Sequence, residues 1–340
     1  MLTLGIESTC DETAAAVLKD GKEILSNIIY SQADLHQKYG GVYPEIASRC
    51  HLKKIIPVID EALKEAKIDF TQIDHIAVAS GPGLIGSLLI GLNCAKALSY
   101  AWNVPYIGVN HIEAHLYSAM LEGETLFPSL GVVISGGHTQ ILYMPSFGEY
   151  TLLGTTIDDA IGESFDKVAC LLGLGYPGGP RIEKLAKEGD PNKYLFRAGQ
   201  IENRPLDFSF SGLKTNVMYK IKGPLGKKDS PDAISLDDKK HIAASFQKTA
   251  LEDLIHKVFL AAKQNPIKAI YFGGGVSNNK TLREMFDQYN KNFSYPLFWP
   301  SFGLSLDNAV MIAALGYQKF LKKKQGDPLS LEAKTRFSLA

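Results

Sequence analysis

The sequence predicts an α/β protein built twice over on one plan. Three-strand meanders begin at Leu2 and again at Gly131, each with a polar turn between its first two strands. Helix and strand alternation follows each meander, as crossover connections in a layered α/β fold require. Glycine turns and a histidine pair stand next to strand ends, where such folds expose ligand-binding residues.

Residues 2–6, 13–18 and 23–30 read as strands from their β-branched and apolar runs, with Asp20-Gly21 turning the last pair. Pro44 opens a helical pattern over 44–66, 75–79 reads as a strand, and 84–102 as an apolar helix. The pattern returns with strands at 131–134, 140–144 and 150–153, a helix over 158–172, a helix over 241–264, a strand at 267–272 and a helix over 279–290. Residues 220–240, with Gly, Pro and paired Lys and Asp, read as an exposed loop, and the end from residue 321, with Lys322-Lys323-Lys324, as a solvated tail. Such a duplication is the pattern of the actin, sugar-kinase and heat-shock ATPase class, two lobes with a central cleft. The expected division is 1–105, with 305–330 packing back, as an N-terminal actin-like lobe, 106–304 as a C-terminal one, and 331–340 as a tail.

The chain has 340 residues, 45% hydrophobic and 21% charged, enough to bury a large core. Its formal net charge is +0, so any polyanion must be met by a local patch; residues 211–240 carry seven Lys and four Asp, a surplus of 7 − 4 = +3. Cys10, Cys50, Cys94 and Cys170 form no CxxC pair, which with the lack of a basic, apolar leader points to a reducing cytoplasm. The apolar run 83–102 is long enough to span a bilayer, but Gly81-Pro82-Gly83 before it and Lys96 within it favour a buried helix, with no membrane partner.

His111 and His115 stand four residues apart, on one helical face, and could grip one metal ion or simply hydrogen-bond. Ile112, rather than Glu, follows His111, so the zinc-peptidase motif is not met. Ser135-Gly136-Gly137-His138-Thr139 is a strand-to-strand turn whose bare backbone amides and hydroxyls suit a phosphate, although His138 could equally be an exposed turn residue. The run 158–167 reads as an acidic helix start, with Gly162 inside the helix costing about 1 kcal/mol relative to Ala; a ligand passing close would explain it and the glycines of Tyr176-Pro177-Gly178-Gly179-Pro180. Gly273-Gly274-Gly275 ends an apolar strand before a helix that Asn279 could cap, a place for a purine or ribose to lie. Asp307 is either a cap or first-turn carboxylate of the last helix or a third metal ligand beside His111 and His115.

Gly5-Ile6-Glu7-Ser8-Thr9-Cys10-Asp11-Glu12-Thr13, Gly40-Gly41-Val42-Tyr43-Pro44-Glu45, Gly81-Pro82-Gly83, the His111/His115 helix, Ser135 to Thr139, Phe208 to Thr215 and Gly274 to Asn279 occur in this order over nearly the whole chain. Together they resemble the tRNA N6-adenosine threonylcarbamoyltransferase family, in its bacterial and organellar branch. Two positions depart from the family pattern, Leu306 before the metal aspartate and Ala309-Val310 after it, and neither removes a ligand. The resemblance implies transfer of a threonylcarbamoyl group from threonylcarbamoyl-AMP to N6 of the adenosine next to the anticodon, in tRNAs reading codons that begin with A. It implies one divalent ion, iron or zinc, on His111, His115 and Asp307. Ile134, Ser135, Gly136, Gly137 and His138 would hold the phosphate and threonyl part, and Asp166, Gly179, Glu183 and Asn279 the ribose and adenine. Asp11 and Glu12 are candidates for catalytic work. The partners implied are tRNA, a degenerate paralogue of the same fold and a P-loop ATPase. The rivals from other classes are an ATP-binding scaffold of the heat-shock type and a metallopeptidase.

Overall fold

The computed structural model describes residues 1–121, 123, 125–222, 234–336 and 339. Of the loop expected at 220–240, residues 223–233 lie outside the described residues; 220–222 end one helix and 236–240 begin the next. The chain divides into two compact units, Met1–Glu124 with Pro300–Leu339, and Thr125–Trp299.

Unit 1 is a five-stranded sheet in the order β3-β2-β1-β4-β5, built from β1 (Leu2–Glu7), β2 (Glu12–Lys19), β3 (Glu23–Ser31), β4 (His75–Gly81) and β5 (Tyr106–Asn110). The meander is antiparallel, and β4 and β5 are parallel to β1. Alternate residues face opposite layers. Leu4, Ile6, Ala15 and Val17 pack in one core with Val58 and Ile59 of α2 (Pro44–Ala66) and Leu92 of α3 (Ile85–Trp102), while Ala14, Ala16 and Leu18 pack in another with Ala309, Val310 and Ala313 of α10 (Ala309–Lys323). A short helix, α1 (Ala33–Gln37), follows β3, and α4 (His111–Ser118) follows β5.

The unit boundary falls later than the expected residue 105, because β5 pairs with β4 in the register Ile76↔Tyr106 and draws α4 with it. The tail is exposed over most of its described length, as expected, but it is held along the sheet edge. β5 is an edge strand, whose open amides and carbonyls need partners. Asp327 supplies them: its N–H donates to the Tyr106 carbonyl and its carboxylate accepts from Gly108 N–H, both at 2.8 Å. Further on, Lys96 Nζ donates to the Leu331 carbonyl at 2.6 Å and Lys334 N–H to that of Ser80 at 2.9 Å.

Unit 2 repeats the topology. Its order is β10-β9-β6-β7-β8, with β6 (Ser129–Ile134), β7 (Thr139–Met144) and β8 (Thr151–Thr155) as the antiparallel meander, and β9 (Ala269–Gly273) and β10 (Leu297–Phe298) parallel to β6. The helices α5 (Ile161–Leu171), α6 (Gly178–Ala186), α7 (Ser211–Lys222), α8 (Leu236–Gln264) and α9 (Lys280–Asn290) complete it. Phe165, Phe208, Phe210, Phe246, Phe259, Phe272 and Phe286 anchor one core, each such burial contributing roughly 1.5–3 kcal/mol before the cost of ordering. Among the described residues, no helix is long and apolar enough to cross a membrane.

Candidate functional site

Asn110 ends β5 and caps α4 at once: its Oδ1 accepts from the N–H groups of Ile112 and Glu113 at 2.9 and 3.1 Å. Helix therefore begins at His111, and His115 follows one turn later on the same face, the two rings 4.5 Å apart. Asp307 arrives from the far end of the chain. The cap of α10 is Asn308, whose Oδ1 accepts from Met311 N–H at 3.0 Å, so Asp307 is spared that role. Its Oδ1 lies 3.1 Å from His115 Nε2 and 3.6 Å from His111 Nε2, and one ligand atom from each of the three falls within 4.8 Å of the others. Lys319 of α10 pairs with the buried Glu113 of α4 at 2.5 Å, holding the two ligand-bearing elements together.

These residues fit a metal ion on chemistry as well as distance. His115 is 1% exposed, and neither of its nitrogens makes a well-formed hydrogen bond among the described residues. Burial, helped by His111, lowers its pKa against the pull of Asp307, so the imidazole stays neutral with a lone pair to give. For His111 burial again opposes the charge, but the Glu7 and Asp307 carboxylates outweigh it and raise the pKa to about 9. Two imidazoles and a carboxylate are a donor set that suits zinc or iron.

Asp11 and Glu12 lie in and just after the turn that follows β1. Glu12 accepts from Ser31 Oγ at 3.1 Å. Burial, Asp11 and Asp307 push its carboxyl well above the usual range, and burial, Asp11 and Asp307 do the same to the Cys10 thiol. Carboxylates are thus concentrated around the histidine pair in unit 1.

In unit 2 the turn after β6 closes on itself, Ser135 N–H donating to the His138 carbonyl at 2.8 Å and His138 N–H to Ser135 Oγ at 3.1 Å. Gly136 and Gly137 are exposed, with open space where a side chain would be. Gly162 has a different cause from the ligand expected: a Cβ there would sit 2.7 Å from the Ser135 carbonyl, so α5 needs a bare backbone to dock on this turn. Gly274, at φ 92°, likewise presses on the Ile134 carbonyl. The acidic run is also not the start of α5, whose first residue is Ile161. Asp158 instead accepts from Ser209 Oγ and from the N–H groups of Phe210 and Ser211, fixing the start of α7, and Asp159 pairs with Lys167 and Lys214.

The residues expected to hold an adenylate form a continuous set within unit 2. Asp166 accepts from Gly178 N–H at 2.6 Å, at the start of α6. Next to it, Gly179 has open space around it. One turn on, Glu183 accepts from Lys280 N–H at 2.8 Å, at the start of α9. Asn279 caps α9 through Leu282 N–H at 2.8 Å and donates to Gln247 Oε1 at 3.1 Å. Three of these four side chains thus brace helix starts around the glycine turns.

Glu7 and Thr9 stand in the motif from Gly5 to Thr13 without a role assigned to them, and the Glu113–Lys319 pair has no counterpart in the sequence pattern. Glu7 carried a signal in its position, a carboxylate ending the otherwise apolar strand Leu2–Glu7. The other two are long-range meetings that spacing does not encode.

A family model described as tRNA N6-adenosine threonylcarbamoyltransferase matches residues 23–314. A relative with that name from Protochlamydia amoebophila (strain UWE25) is 56% identical over 341 residues, covering 100% of this chain and 98% of its own. Among solved structures, T. kodakarensis HypF aligns with a TM-score of 0.64 at 16% identity, over 94% of this chain and 48% of its own. A ROK family glucokinase from Streptomyces griseus aligns at 0.50 and 14% identity, over 94% and 100%. At such identities these two speak for the shared fold alone.

Proposed function

Since the chain belongs to the tRNA N6-adenosine threonylcarbamoyltransferase family and is an enzyme of that kind, we propose that it transfers the threonylcarbamoyl group of threonylcarbamoyl-AMP to N6 of the adenosine next to the anticodon, in tRNAs reading codons that begin with A. The observation that carries the reading is the meeting of His111, His115 and Asp307 in unit 1, in a chain whose unit 2 offers an anion-binding turn.

The N6 lone pair attacks the carbamoyl carbon, the bond to the phosphate oxygen breaks, AMP leaves with the electron pair, and the N6 proton passes to a base. In unit 2, the open backbone of Gly136 and Gly137 with Ser135 and His138 receives the phosphate, Ile134 closing the strand beneath. The bare face at Gly179, framed by Asp166, Glu183 and Asn279, receives the nucleoside. In unit 1, Glu12, with Asp11 beside it in the turn after β1, is the candidate to take the proton. His111, His115 and Asp307 would hold an iron or zinc ion. When bound, it supplies positive charge that stabilises negative charge developing on oxygen.

The neutral chain is poorly equipped to position tRNA alone. Partners of the kind the resemblance implies, a same-fold paralogue and a P-loop ATPase, supply the rest. Incorporation of labelled threonine into tRNA at fixed salt, omitting each component in turn, tests both parts. Full incorporation only with all components supports the reading. None with the complete mixture sinks the activity, and full turnover by the isolated chain sinks the partner requirement alone.

A further inference from the structure

Glu7 is the last residue of β1 and is 0% exposed. Its two oxygens do different things. Oε2 lies 2.9 Å from His111 Nδ1, and Oε1 accepts from Thr9 N–H at 2.5 Å, in the turn that leads to Asp11 and Glu12. The Thr9 hydroxyl stands 3.4 Å from the same His111 nitrogen. An imidazole held by a carboxylate at one nitrogen keeps its proton there and, once a cation displaces the proton on the other, presents that nitrogen's lone pair in a fixed direction; for His111 the other nitrogen is the one beside Asp307.

We propose that Glu7 is a positioning residue for the bound ion: it holds His111 with Nδ1–H toward its own carboxylate and Nε2 toward the ion, and couples that ligand to the turn carrying Asp11 and Glu12. The inference rests on the metal reading above.

The alternative is a buried ion pair serving the fold alone. Unit 2 supplies an internal control. Its strand β6 ends, in the same topology, on Ile134, and the turn that follows still closes through Ser135 and His138. A carboxylate at this place is therefore not needed to end the strand or make the turn. A buried carboxylate and imidazole are also a weak means of stabilising a core compared with well-packed hydrocarbon. What distinguishes unit 1 is the histidine on the adjacent helix.

The test is Glu7→Gln, which keeps the shape but not the charge, with the full-length metal-free chain titrated with Co²⁺ and Zn²⁺ against a competing chelator. The Co²⁺ absorption spectrum reports the ligand set, and the melting temperature of the metal-free chain reports the fold. The expected result is affinity weakened about 10- to 100-fold, an altered spectrum, and a metal-free melting temperature close to the unaltered chain's. Unchanged affinity and spectrum, with or without a lowered melting temperature, overturn the role of Glu7 while the metal site stands. An unaltered chain that binds Co²⁺ no better than His111→Ala overturns the metal reading and this inference with it. Should the variant not fold, ¹⁵N NMR of the unaltered zinc-loaded chain decides: a proton on His111 Nδ1 with the metal on Nε2 supports the proposal, and the reverse assignment refutes it.

Discussion

The two units share one strand order yet carry different side chains at the same place. In unit 1 the first strand ends on Glu7 and runs into Cys10, Asp11 and Glu12; in unit 2 it ends on Ile134 and runs into Ser135, Gly136, Gly137 and His138. The fifth strand of unit 1 leads straight into the helix of His111 and His115, whereas Phe298 of unit 2 is followed by Trp299 and the return of the chain to unit 1. Carboxylates beside an imidazole that burial keeps neutral suit a cation; open glycine amides suit an anion. A duplicated scaffold thus presents a donor set that suits a cation in one unit and a turn that suits an anion in the other, and the difference lies in a few residues after matching strands.

The largest effects should come from unit 1. His111→Ala or His115→Ala should lose the metal and lower threonine incorporation more than about 100-fold, since a ligand matters more than the outer partners that orient it. A variant that keeps both, by elemental analysis and tRNA assay, breaks the assignment of the cation to this unit. Gly162→Ala and Gly136→Ala separate packing from binding in unit 2. The first should destabilise by about 1–3 kcal/mol, because the clash with the Ser135 carbonyl exceeds the helix propensity gained; the second, with open space around it, should leave the melting temperature in place and weaken adenylate binding. Equal melting temperatures for the two would undo that distinction. Asp166→Ala should cost about 1 kcal/mol through the lost acceptor for Gly178 N–H and also weaken adenylate affinity; calorimetry showing the stability loss alone would make Asp166 purely a brace.

A pH effect on unit 1 belongs to His75. It is buried at the start of β4, stacked on Phe320 and bonded to Thr3 Oγ1 at 3.1 Å. Burial lowers its pKa from 6.5 to about 4, against the pull of Asp74. The unfolded chain takes up the proton first, so stability from this group is complete above pH 6.5 and falls as pH drops toward 4, by up to about 3 kcal/mol. Denaturant titrations of the unaltered chain and His75→Phe across that window should diverge, and parallel curves would deny the effect.

The fold was largely legible because its signals are local. Apolar alternation, Pro44 at a helix start and Asn279 as a cap all act within a few residues, and α2 spans the 44–66 expected. The histidine pair was legible for the same reason, a spacing of four on one helix. Asp307 was legible only as an alternative, of which Asn308 removes the capping reading. Asp158 misled, because the helix it serves, α7, lies some fifty residues further on. The tail is exposed as expected, Lys322-Lys323-Lys324 included, but its anchoring was not legible: the open edge of β5 that captures Asp327 is invisible in the tail itself.

The central claim, a cation in unit 1 and the phosphate in unit 2, is open to one diffraction measurement. Crystals of the metal-loaded chain with threonylcarbamoyl-AMP or a stable analogue would be recorded on both sides of the metal's absorption edge. The result expected is an anomalous peak at bonding distance from His111, His115 and Asp307, with the ligand phosphate on the exposed backbone of Gly136 and Gly137. An ion bound elsewhere, or a phosphate held by the Ser8 to Asp11 turn, would contradict it.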